Sequence, residues 1–163
     1  MSQTLAAPTA ARIAEPLPLA IRVLRRLNPL IAALLRSPLH GRVSRDLLLL
    51  TYTGSRTGRR RTLPLSYVTH GERLYLCTRS SIWARSLREG KPVDLRLRGR
   101  RLPATPVVLD VRTPEALDAL RAFLTANPKT AEMLYQVAAP GGRPNEADLG
   151  REVLRSVVVR LDA

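Results

Sequence analysis

Cysteine, histidine, lysine and aromatic residues are all scarce in this 163-residue chain. Each shortage removes a class of function. A single cysteine, Cys77, allows no internal disulfide and no cysteine-built zinc site. His40 and His70 are too few for a histidine-rich metal centre, so no metal is expected. Aromatics make up only 4% of the chain, so Leu, Val and Ala must fill the core. The same shortage leaves few platforms for stacking bases, which single-strand nucleic-acid binders need. No apolar run is long enough to span a bilayer, and the N-terminus lacks the basic and apolar regions of a signal peptide. A cytoplasmic location is the expectation.

Positive charge is abundant. Lys and Arg number 27 against 13 Asp and Glu, a net charge of +14, and Lys91 and Lys129 are the only lysines. Arginine makes bidentate contacts with phosphate and carboxylate. One reading is an anionic partner: a phosphorylated cofactor, an acidic lipid surface or nucleic acid. The other is the arginine bias of a GC-rich coding sequence. With 45% hydrophobic and 25% charged residues, the length suits one packed domain.

Residues 1–16 read as a flexible tail and 17–163 as a single domain. Within it, Leu17, Ala20, Ile21, Leu24 and Leu27 recur at helical spacing, and a second short helix follows Asn28-Pro29, giving an amphipathic segment over 17–38. It could cover the domain or touch an anionic membrane surface through 17–35. The core spans 46–111. Leu47 to Thr53 is too continuously apolar for a half-exposed strand, so both its faces should be covered. Thr62 to Val68 and Arg73 to Thr78 complete an antiparallel meander. Leu74 and Leu76 share one face of the third strand, Tyr75 and Cys77 the other. Ser80 or Ser81 caps a short helix carrying Trp83 and Leu87, stopped by Gly90. Val93 to Leu97 and Leu102 to Val111 form a hairpin turning at Gly99-Arg100. Helices fill 113–137, broken at Asn127-Pro128 and resuming over Ala131 to Val137; Ala139 to Asn145 is a loop, and a closing strand spans 153–161. The sum is an α+β domain built on a small, mostly antiparallel barrel with flanking helices.

The stretch most suited to chemistry is Thr53-Gly54-Ser55-Arg56-Thr57-Gly58-Arg59-Arg60-Arg61-Thr62. Its glycines permit positive φ, and successive amides in such a turn can form an anion nest. Arg56 and Arg61 flank Gly58 and could clamp one phosphate, with Ser55 and Thr57 adding hydroxyls. No Gly-Lys-Ser/Thr is present and a strand follows, which rules out both a Walker A loop and a Rossmann fingerprint. The alternative is a solvated basic hairpin.

LLLLTYTGSRTGRRRTLPLSYV, continued through HGERLYL and WARSLREGKPVDLRLRGR, resembles the deazaflavin (coenzyme F420)-dependent nitroreductase and quinone reductase family. The resemblance covers about Leu34 to Val111. It implies a split β-barrel of the FMN-binding type and coenzyme F420 as cofactor, with FMN or FAD as the alternative. By position it implies that Arg56, Thr57, Gly58 and Arg61 contact the cofactor's phosphate and glutamyl tail. Pro64 and Ser66 would line the ring, Cys77, Thr78 and Arg79 would border it, and Trp83, Ser86 and Leu87 would close the far side. Three positions depart from the family pattern: Ser55 replaces an arginine or lysine, Ala84 an aromatic, and Ser86 an asparagine.

The function that follows is hydride transfer from reduced F420 to a small hydrophobic acceptor: a quinone, nitro compound or activated alkene. Tyr135, on a short helix, is the candidate proton donor; its other reading is a packing residue. The second hypothesis is an FMN-, FAD- or haem-binding barrel with different or no redox activity. The third is a basic membrane-surface or nucleic-acid module, nucleic acid ranking last. A homodimer fits the architecture, which often dimerises.

Overall fold

Alternating apolar residues build a seven-stranded sheet whose every pairing is antiparallel. The computed structural model describes residues 30–33, 35, 46–79 and 82–163. The expected tail over 1–16, most of the 17–38 segment and the Ser80/Ser81 cap lie outside these residues. The strands are β1 (Leu47–Thr53), β2 (Arg60–Ser66), β3 (Val68–His70), β4 (Arg73–Thr78), β5 (Val93–Leu97), β6 (Arg100–Val108) and β7 (Val157–Asp162). Among the described residues, 30–33 and 35 are helical, and the further α-helices are α1 (Ile82–Leu87), α2 (Pro114–Ala126), α3 (Pro128–Tyr135) and α4 (Glu146–Val153).

The spatial order is β2-β1-β5-β6-β7-β4-β3. The two edge strands, β2 and β3, are consecutive in the chain and separated by Tyr67 alone, so the curled sheet is closed by covalent continuity. The Tyr67 amide donates to the Asp46 carbonyl at 3.3 Å at this corner. The expected meander is therefore corrected. The Thr62 to Val68 stretch divides at Tyr67, its first part pairing with β1 and its last with β4. Long β6 also serves two neighbours, meeting β5 through Arg100 to Ala104 and β7 through Thr105 to Val108. Its start is two residues earlier than expected, because the turn is made by Arg98 (φ 47°) and Gly99 (φ 80°).

Period-two alternation separates two cores. Inside the barrel lie Leu48, Leu50, Tyr52, Leu76, Leu87, Leu95, Val159 and Leu161. On the other side of β4 and β7, Tyr75, Cys77 and Val158 pack on Ala116, Leu120, Phe123, Leu124, Tyr135 and Leu149 from the helices. The face assignment of β4 holds. Both faces of β1 are covered as expected, since outward-facing Leu49 packs on Ala32 and Leu35. Thr113 caps α2 by accepting from the Ala116 amide, with Pro114 at the first helical position. Asn127-Pro128 ends α2 and starts α3 at once, earlier than the expected Ala131. The expected closing strand over 153–161 is found as β7, which starts later, at Val157, because helix α4, N-capped by Asn145, runs to Val153.

Candidate functional site

The hairpin between β1 and β2 ends in a loop, Gly54 to Arg59, that closes on itself. The Gly54 amide donates to Arg59 O at 3.0 Å and the Gly58 amide to Gly54 O at 2.8 Å. Gly58 takes φ +63°, a conformation that a side chain would strain. A Cβ at Gly54 would meet Thr57 Oγ1 at 3.1 Å. The Thr57 amide also donates to Gly54 O, and the Arg59 amide reaches Thr57 Oγ1 at 3.4 Å. These amides are committed inside the protein. The loop is thus not the open amide nest expected, and its anion-facing chemistry lies in its side chains.

Those side chains divide. Arg60 pairs with Asp94 on β5. Arg56, Arg59 and Arg61 are exposed and form no salt bridge among the described residues. Uncompensated guanidiniums on a rigid turn suit phosphate and carboxylate. Arg61 also faces Tyr52 across the hairpin. Burial raises the Tyr52 phenol above its ordinary value, and the Arg61 charge partly opposes that.

Pro64 and Ser66 share the outward face of β2 with Thr62, whose hydroxyl is 2.9 Å from that of Thr51. Opposite the loop stands α1. The Ser55 amide donates to Ser86 Oγ at 3.2 Å, and the two hydroxyls lie 3.4 Å apart. Ser86 is buried, and so is Ala84. Trp83 is half-buried against the barrel core, while the Leu87 side chain lies wholly inside it. A shallow, open concavity of about 230 Å³ at the foot of the loop is lined by Thr51, Tyr52, Thr53, Arg60, Pro92 and Asp94. None of the expected ring-lining residues borders it.

Cys77, Tyr135 and Leu87 turn their side chains into the two cores. The Cys77 side chain points into the helical core, where burial pushes its thiol well above the ordinary value. Tyr135 is in the same core and donates its hydroxyl proton to the Cys77 carbonyl oxygen at 3.0 Å. Burial raises the Tyr135 phenol strongly. In this structure the hydroxyl is buried and occupied by that bond, the geometry that the packing reading of Tyr135 requires. Leu87, as noted, fills the barrel. Thr78 and Arg79 sit half-buried where β4 ends, with Arg79 Nε and Nη2 on Glu152 at 2.8 and 3.0 Å. Sequence reasoning missed Asp94, Glu152 and the Ser55–Ser86 contact. Their partners lie 31 to 73 residues away, beyond any local pattern.

A family model of F420H(2)-dependent quinone reductases matches residues 36–139. No curated protein gives a significant sequence match. Solved structures similar to this chain include an F420-H2 dependent reductase, FDR-A, at 19% identity and TM-score 0.51, covering 73% of this chain and 95% of that one. A chain described as a domain-swapped dimer aligns at 18% identity and TM-score 0.52, covering 73% and 81%. The conserved hypothetical protein Rv2991 from Mycobacterium tuberculosis aligns at 14% identity and TM-score 0.50, covering 83% and 78%. These likenesses agree with a split-barrel fold. Among the described residues, no helix is long and apolar enough to cross a membrane.

Proposed function

Because the chain belongs to the F420H(2)-dependent quinone reductase family, we propose that it passes hydride from reduced F420 to a small hydrophobic quinone, using the β1–β2 loop to hold the cofactor's tail. Family membership makes it an F420-dependent oxidoreductase. The observation that carries the rest is the trio of exposed arginines, Arg56, Arg59 and Arg61, with no ion pair among the described residues. A phosphate followed by glutamyl carboxylates is the kind of elongated anion that such a trio fits.

When bound, the cofactor supplies the two-electron donor. The chain's own residues bind and orient it. Arg56 and Arg61 grip the tail from either side of Gly58, and Thr57 adds a hydroxyl. The resemblance assigns Pro64 and Ser66 to the ring and Trp83, Thr78 and Arg79 to its margin; Pro64 and Ser66 lie on the outward face of β2, while Trp83 packs against the barrel core. Cys77, Leu87 and Tyr135 act through packing. The proton that completes the reduced acceptor comes from solvent, since the Tyr135 hydroxyl is turned to Cys77. Nitro compounds and activated alkenes stand as further acceptors to be assayed against quinones.

Titration with F420, FMN and FAD, read through Trp83 fluorescence and the cofactor spectra, tests this. F420 binding that Arg56→Ala and Arg61→Ala each weaken about tenfold, the worth of a hydrogen bond to a charged group, supports the clamp. Tight FMN binding with no response to F420 would sink it.

A further inference from the structure

Ser55 and Ser86 are 31 residues apart, and both stand where the chain departs from the pattern of the family it resembles. In the fold they meet. The donor in the 3.2 Å contact is the Ser55 backbone amide, so the main chain of the loop is tied, whatever side chain position 55 carries. The acceptor, Ser86 Oγ, belongs to a residue only 7% exposed, seated on α1 beside Leu87, which is 1% exposed and anchored in the barrel core. A buried hydroxyl needs a polar partner, and here an exposed loop supplies it. The other bonds of the loop backbone, made among Gly54, Thr57, Gly58 and Arg59, are internal. They set its shape without fixing its direction against the barrel. Arg56 is the next residue along the chain.

We infer that Ser86 is a positioning residue: it latches the arginine loop to α1 through the Ser55 amide and so aims Arg56 and Arg61 at the cofactor's tail. The inference rests on the loop's reading as a tail clamp. It assigns Ser86 to the tail, through the loop, and not to the ring. The two departures then act as one device, because two short side chains let the loop's backbone approach the helix.

The test uses Ser86→Ala and Ser55→Ala in the full chain. Two quantities are measured: backbone amide exchange by NMR, and binding of F420 and of its ring-and-ribityl fragment, which lacks the phosphate and glutamyl tail. In Ser86→Ala the Ser55 amide should exchange about five- to tenfold faster, as expected for loss of one hydrogen bond. F420 should bind weaker by a similar factor, and the fragment should bind as before. Ser55→Ala keeps the amide and loses only the 3.4 Å hydroxyl contact, so exchange of the residue 55 amide should rise clearly less than in Ser86→Ala. Unchanged exchange at Ser55 in Ser86→Ala would overturn the latch. Equal losses for F420 and the fragment would overturn it too, making Ser86 a ring contact. If the wild-type protein ignores F420, the clamp reading fails, and the exchange result alone decides whether Ser86 holds the loop.

Discussion

The Tyr135 hydroxyl has one proton, and in the fold that proton goes to the Cys77 carbonyl oxygen, inside a core that also holds Phe123 edge-on to the ring. Tyr135→Phe should therefore lose about 1 kcal/mol of stability, the net worth of one buried neutral hydrogen bond. For a chain of this length that lowers Tm by about 2–4 °C. The rate of acceptor reduction should stay within about twofold of wild type, because removing the hydroxyl takes nothing from the loop. A hundredfold loss of rate at unchanged Tm would restore the proton-donor role. The sequence holds no sign of the choice: Cys77 is 58 residues from Tyr135, and only the fold brings its carbonyl within reach. The arginine run is similar. Its charge was legible at once. That Arg60 would be taken by Asp94 while its neighbours stay open was not, since the pair forms across β1.

At the scale of elements, α2 is fastened to the sheet by Glu115. Its carboxylate accepts from Arg160 Nη1 at 3.1 Å, Tyr75 Oη at 2.9 Å and Arg73 Nη1 at 3.2 Å. These contacts, the Arg160 hydrogen bond foremost, hold the Glu115 carboxyl below the usual carboxylate range. The sign follows from linkage: the stabilisation is present above the unfolded value, about 4.3 for glutamate, and is lost as pH falls through the folded value. Glu115→Gln should lower Tm at pH 7 by about 2 °C, a small figure because solvent screens the partly exposed group. The difference from wild type should shrink progressively as pH falls below about 4, and a constant difference across that range would show that the charge is not responsible. The sequence already marked Thr113-Pro114-Glu115 as a helix start, because cap, proline and acid are local signals. The strand partners of Glu115 were invisible because they are not local. The same division runs through the fold. β1, β4 and β5 were legible from alternation or a continuous apolar run. The break at Tyr67 was not, because it comes from the barrel's curvature and interrupts no pattern in the residues. Helix α4 escaped because its buried positions are Leu149, Val153 and charged Glu152, too few apolar residues to set a period.

The whole molecule carries +14, and that excess should give two salt responses of opposite sign. Folding gathers 27 basic side chains against 13 acidic ones, so like-charge repulsion opposes the compact state. Raising ionic strength from about 20 mM to about 500 mM shortens the screening length from about 20 Å to about 4 Å. Repulsion between arginines on different elements is then largely removed. Close pairs such as Arg79 with buried Glu152 are little affected. Tm should rise with added NaCl. Binding of an anionic tail by exposed Arg56, Arg59 and Arg61 should move the other way, because these charges attract through solvent and are screened with it. F420 affinity should fall about tenfold over the same range, and the fall should be shallower in Arg56→Ala, which removes one of the three attracting charges. The ring-and-ribityl fragment, without phosphate or carboxylates, should show almost no salt dependence. Equal salt dependence for the cofactor and the fragment would mean that the net charge, and not the loop, draws the ligand in. The arginine excess would then reflect coding bias more than a binding surface.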